Sequence, residues 1–117
     1  MRLEHVNLTV TDLERSADFY RRLLGLEVRW QGDGSLHIGT EQEYLAFFEA
    51  SADGRAPHDY GLVGFNHVGF VVDDLEAARE RAEALGTTVH LEADYEPGRR
   101  IYVTDPDGIE VELVEYA

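Results

Sequence analysis

His5-Val6-Asn7-Leu8-Thr9-Val10-Thr11-Asp12-Leu13-Glu14 returns 62 residues later as His67-Val68-Gly69-Phe70-Val71-Val72-Asp73-Asp74-Leu75-Glu76. In that register His5/His67, Val6/Val68, Val10/Val72, Asp12/Asp74, Leu13/Leu75 and Glu14/Glu76 are identical, and Leu23/Leu85 follows further on. Two copies at this spacing are too few and too long for a solenoid, so the pattern predicts a pair of half-domains. Val6, Leu8 and Val10 alternate with His5, Asn7 and Thr9, the period of a strand with one buried face. Thr11-x-x-Glu14 and Asp73-x-x-Glu76 read as capping boxes that open helices. Leu13, Ala17, Tyr20 and Leu24 form the apolar stripe of the first helix, and Leu75, Ala78, Ala82 and Leu85 that of the second. Gly25 and Gly86 stop them.

Three strands are expected after each helix, at about 26–31, 35–39 and 44–50 in the first half and about 88–92, 99–104 and 109–115 in the second. Asp105-Pro106-Asp107-Gly108 is a turn, with Pro and Gly where a type I turn accepts them. Residues 51–64 lack periodicity and read as a connector. The expectation is an α+β chain, 1–117, of two βαβββ modules: module one 1–50, connector 51–64 and module two 65–117.

The 117 residues suffice for one domain with a core. No cysteine is present, which excludes disulfides, iron–sulfur clusters, thiolate zinc sites and thiol catalysis. A metal would have to sit on histidine and carboxylate. Ten basic residues, all arginine, face 24 acidic ones, giving a net charge of −14. Such a surface repels phosphate backbones and anionic membranes, so neither nucleic acid nor membrane is an expected partner. Apolar runs are too short for a membrane span, and no apolar signal segment precedes His5, which reads as cytoplasmic.

Four residues fall in places related by the repeat. His5 and His67 lie on the first strand of each half. Glu49 and Glu112 lie on the last strand of each half, 63 residues apart. Both imidazoles project opposite the apolar residues of their strands, away from the helix. Glu49 shares parity with Leu45 and Phe47, where a carboxylate is costly unless paired or bound to a cation. Two imidazoles and two carboxylates suit one divalent cation of intermediate hardness, with positions left for water or substrate. His37, His58 and His90 lack repeat partners and read as surface residues.

His5-Val6 through Asp12-Leu13 with Phe19-Tyr20 and Leu24-Gly25, then Asn66-His67-Val68, then Asp105-Pro106-Asp107-Gly108 through Glu112-Leu113, together resemble the vicinal oxygen chelate superfamily. That superfamily includes glyoxalase I, fosfomycin-resistance proteins, extradiol dioxygenases and bleomycin-resistance proteins. The resemblance implies curled mixed sheets around a metal cleft and a small-molecule substrate chelated through two neighbouring oxygens. It implies metal ligands His5, Glu49, His67 and Glu112, the set of bacterial glyoxalase I, holding Zn, Ni, Co, Mn or Fe. Glu49 or Glu112 would also move the substrate proton, and Tyr102 would stand at the catalytic site. The implied activity is a glyoxalase-like lyase or isomerase.

Two alternatives stay open. An extradiol-type dioxygenase is suggested by Ile101-Tyr102 through Glu112, without the histidine expected upstream of that pair. A non-catalytic antibiotic-binding module of the bleomycin-resistance type is suggested by the acidic charge. A homodimer is expected, with modules pairing across two copies because the connector is short.

Overall fold

The computed structural model describes residues 1–95 and 97–116. It divides into two compact units, Met1–Asp53 and Gly54–Ala117, with the boundary inside the predicted connector. Each is α+β. In the first, β1 (His5–Val10), α1 (Leu13–Leu24), β2 (Glu27–Gly32), β3 (Ser35–Gly39) and β4 (Tyr44–Glu49) follow in order. In the second, β5 (Val68–Val71), α2 (Leu75–Ala84), β6 (Leu91–Tyr95), β7 (Gly98–Thr104) and β8 (Glu110–Tyr116) repeat the sequence of elements. The sheets have orders β1-β4-β3-β2 and β5-β8-β7-β6. The first and last strands of each unit pair in parallel, and the remaining pairs are antiparallel.

Both helices begin one residue later than the capping boxes predict. Asp12 and Asp74 are the N-caps, and their carboxylates accept from the backbone N–H groups of Arg15 and Ala77. An aspartate at this position satisfies an N–H that the helix itself leaves free. Gly25 ends α1 with φ of 71°, a conformation that a residue bearing Cβ adopts only with strain.

The α1 stripe buries Leu13, Ala17, Tyr20 and Leu23 against the sheet. Tyr20 and Phe47 carry the largest fully buried side chains, their ring centroids 5.7 Å apart. Leu36 and Ile38 complete this layer from β3. In the second unit, Leu75, Ala78 and Ala82 of α2 lie over Ile101, Val103, Val111 and Leu113, all buried. The sequence Gly54–Asn66 belongs to this second unit: Arg55 donates to the Asp107 carbonyl, and the His58 imidazole Nε2 lies 2.7 Å from the Asn66 carbonyl. Among the described residues, no helix is long and apolar enough to cross a membrane.

Candidate functional site

Each sheet has one face under its helix and one open face. On β8, Val111 and Leu113 face the helix, so Glu112 between them projects to the open side. Glu112 pairs across β7 with Tyr102 and across β5 with Gly69. Residues directly opposite in adjacent strands share a face, so these three positions meet. A Cβ on Gly69 would stand 3.4 Å from Glu112 Oε2, an ordinary contact, so the acid lies directly beside this strand.

Glu112 has both oxygens engaged. Oε2 is 3.0 Å from His67 Nε2, and Oε1 accepts from Arg100 Nη1 at 3.0 Å. The ring of Tyr102 meets that of His67 edge-on, with centroids 5.5 Å apart. Burial first, then the charge of Glu112 and a hydrogen bond to it, raise the Tyr102 pKa, so its hydroxyl stays a donor. His67 Nδ1 is 2.6 Å from Asn66 Oδ1. His67, Glu112 and Tyr102 thus lie together on the open face of the second unit. Arg100 was not anticipated; its place opposite Val114, on the same face as Glu112, was the available signal.

The first unit places its candidates differently. His5 pairs with Tyr44, and Glu49 with Val10, at the other end of the same ladder. Five strand residues separate these positions, about 17 Å at the usual rise. The face differs too. Val6, Leu8 and Val10 pair with Leu45, Phe47 and Glu49, so Glu49 lies on the α1 side, exposed at the strand end, while His5 lies on the open side. Glu49 and His5 are therefore not brought together within this unit. In pairing, the counterpart of Glu112 opposite Gly69 is Ala46, which stands opposite Asn7. The long and short partners are exchanged between the two halves, and Asn7 Nδ2 donates to the Ala46 carbonyl at 3.2 Å.

His5 is nonetheless tied down. Its Nδ1 is 3.0 Å from Glu4 Oε1, its ring stacks on Tyr44 at 5.0 Å and 15°, and the Tyr44 hydroxyl donates to the same Glu4 oxygen at 3.2 Å. The hydrogen bond from His5, then that from Tyr44, lowers the Glu4 pKa. His37 stacks on Tyr44 and lies 4.9 Å from Trp30, giving a row of rings along the open face. His58 and His90 are exposed, as expected, and each also approaches a buried acid. Their Nε2 atoms lie 4.0 and 3.8 Å from the buried carboxylate of Glu110. Among the described residues, no group of three or more His, Asp or Glu side chains stands ready to hold a metal ion. The second unit supplies a convergent pair, His67 and Glu112.

Comparison with known proteins places this geometry among relatives. Residues 2–113 match the family model described as the glyoxalase/bleomycin resistance protein/dioxygenase superfamily. The chain is 30% identical to a lactoylglutathione lyase of Haemophilus influenzae, over 98% of this chain and 93% of that protein. It is 33% identical to the glutathione transferase FosA of Serratia marcescens, over 95% of this chain and 78% of that one. Its fold is similar to the crystal structure of a lactoylglutathione lyase from Agrobacterium tumefaciens, with a TM-score of 0.74, 27% identity, and coverage of 97% and 92% of the two chains.

Proposed function

Because the chain belongs to the glyoxalase/bleomycin resistance protein/dioxygenase superfamily, we propose that it is a metal-dependent enzyme whose divalent cation is held by His5, His67 and Glu112. The observation that carries this reading is the 3.0 Å approach of His67 Nε2 and Glu112 Oε2, with the other ring nitrogen already facing Asn66. An imidazole nitrogen and a carboxylate oxygen converging in this way are a fitting donor pair for Zn, Ni, Co, Mn or Fe. His5, on the open face of the first unit, is the third donor in this reading. Bound there, the cation supplies Lewis acidity to two neighbouring oxygens of a small substrate.

The reaction is of the glyoxalase kind, a lyase or isomerase step in which Glu112 moves the proton of the substrate carbon. Arg100 fixes one oxygen of that carboxylate, and Tyr102 offers its hydroxyl as a donor to substrate on the same face. Glu49 has no part in this proposal, because its strand position and face separate it from His5. A second reading, conjugation of a thiol to the substrate at the same three-donor site, is favoured by the 33% identity to a glutathione transferase.

Metal analysis and turnover test both readings. His5→Ala, His67→Ala and Glu112→Ala should each lower bound zinc or nickel at least tenfold, whereas Glu49→Ala should retain the wild-type content. Metal-loaded protein should convert a dicarbonyl–glutathione adduct with solvent-hydrogen exchange at the substrate carbon. Thiol conjugation without such exchange would favour the second reading. Oxygen uptake with a catechol, or full metal retention in all three variants, would overturn both.

A further inference from the structure

Each histidine assigned to the cation is preceded by a residue with a side-chain oxygen: Glu4 before His5, and Asn66 before His67, again 62 positions apart. Both oxygens face the Nδ1 atom of the following ring, at 3.0 Å from Glu4 and 2.6 Å from Asn66. A carboxylate oxygen and an amide oxygen are acceptors only, so the partner nitrogen must carry the hydrogen. A neutral imidazole has one N–H, and placing it on Nδ1 leaves the lone pair on Nε2. In the second unit that Nε2 faces Glu112 Oε2, another acceptor, 3.0 Å away. With the hydrogen on Nδ1, the Nε2 lone pair and the carboxylate oxygen face a common point at which a cation would meet both.

Resting on the reading of His5 and His67 as cation donors, we infer that Glu4 and Asn66 are positioning residues that hold both imidazoles as Nδ1–H tautomers and present both Nε2 lone pairs for coordination. The two halves do this with different chemistry. Asn66 is a neutral acceptor. Glu4 is an anionic one, and an anionic acceptor strengthens the hydrogen bond and makes the opposite nitrogen a better donor. Tyr44 completes the first arrangement: its ring stacks on His5 while its hydroxyl holds the same oxygen of Glu4. The imidazole is thereby fixed in rotation as well as in tautomer. Neither Glu4 nor Asn66 touches the cation, so each acts through its histidine.

Nitrogen-15 NMR of histidine rings reads the tautomer directly. In metal-free wild-type protein above pH 8, His5 should give the Nδ1–H pattern, and Glu4→Leu should shift it toward Nε2–H. In zinc-loaded protein both His5 and His67 should show protonated Nδ1. Zinc affinity should fall about 10- to 100-fold in Glu4→Leu and Asn66→Leu. Glu4→Gln, which keeps an acceptor oxygen, should restore the tautomer and most of the affinity. An Nε2–H pattern for His5 in the wild type, or zinc affinity unchanged in both leucine variants, would overturn the inference. Absence of zinc binding by the wild type would instead overturn the metal reading, and the metal-free spectra of His5 would still judge the role of Glu4.

Discussion

Glu110 is a carboxylate with about 4% of its surface exposed, held by the Tyr60 hydroxyl on one oxygen while Oε1 is buried with no hydrogen-bond partner among the described residues. A buried acceptor stripped of its donor costs about 1–3 kcal/mol, more when it is charged. Tyr60→Phe should therefore lower the melting temperature by several degrees, whereas Tyr95→Phe, at an exposed position, should not. The same contact appears in titration. The hydrogen bond to Glu110, then burial, raises the Tyr60 pKa to about 12. Because the folded value is raised, its contribution is complete below the ordinary tyrosine value near 10 and is lost as pH rises through the folded value. Alkaline absorbance titration should show a late tyrosine that Tyr60→Phe removes. The sequence shows Glu110 two residues from Glu112 but gives no sign that Tyr60, fifty residues earlier, folds back over it. The connector has no periodicity from which such a contact can be read.

At the scale of the element, the helices and most strands were legible because their periods, caps and turns are local properties, whereas β6, expected at about 88–92, runs Leu91–Tyr95 because its start carries no turn signal. The candidate site was legible only in part. His67 and Glu112 lie two register steps apart on adjacent strands, and the Asp105–Gly108 turn fixes where β8 starts. Glu49 was misplaced because the offset between halves drifts. It is 62 at His5/His67 but has grown to 66 by the last strands, where Ala46 corresponds to Glu112. The longer β6–β7 hairpin, with a smaller addition before β8, shifts β8 without disturbing any pattern within it, and a pairing register is a non-local property that a single chain does not display. The same shift makes Glu115 the counterpart of Glu49. Glu115 accepts from Leu75 N at the start of α2 and from Arg99. The hydrogen bond from Arg99, then that from the Leu75 backbone, lowers its pKa. A lowered folded value gives stability that is present above the ordinary carboxylate value and is lost as pH falls through the folded one. Glu115→Gln should lower the melting temperature at pH 7, and its difference from the wild type should shrink below about pH 4.

For the whole molecule, the open faces and the charge are the governing features. Trp30 and Phe48 in the first unit, and Val71 and Leu91 in the second, are each about half exposed or more, on the faces that carry His5 and Glu112. Large apolar side chains grouped on a face call for a cover, and we propose that a second copy of the chain supplies it. Sedimentation equilibrium at micromolar concentration should give a homodimer, and a monomer that still binds metal would exclude this arrangement. Charge opposes the association: five arginines face ten acids in residues 1–53, and five face fourteen in 54–117. Moderate salt should tighten the dimer by screening this repulsion.

The parallel pairing of first and last strands in each unit bears on how the chain is made. β1 waits for β4 before its backbone groups find their partners, and β5 waits for β8. Once residue 49 has cleared the ribosome tunnel, every strand of the first sheet has its neighbours, while the second sheet is still to be translated. The nascent chain can thus complete one half at a time, in synthesis order. Long-range strand pairing, the slow step in such a topology, is confined to two loops of fewer than fifty residues each.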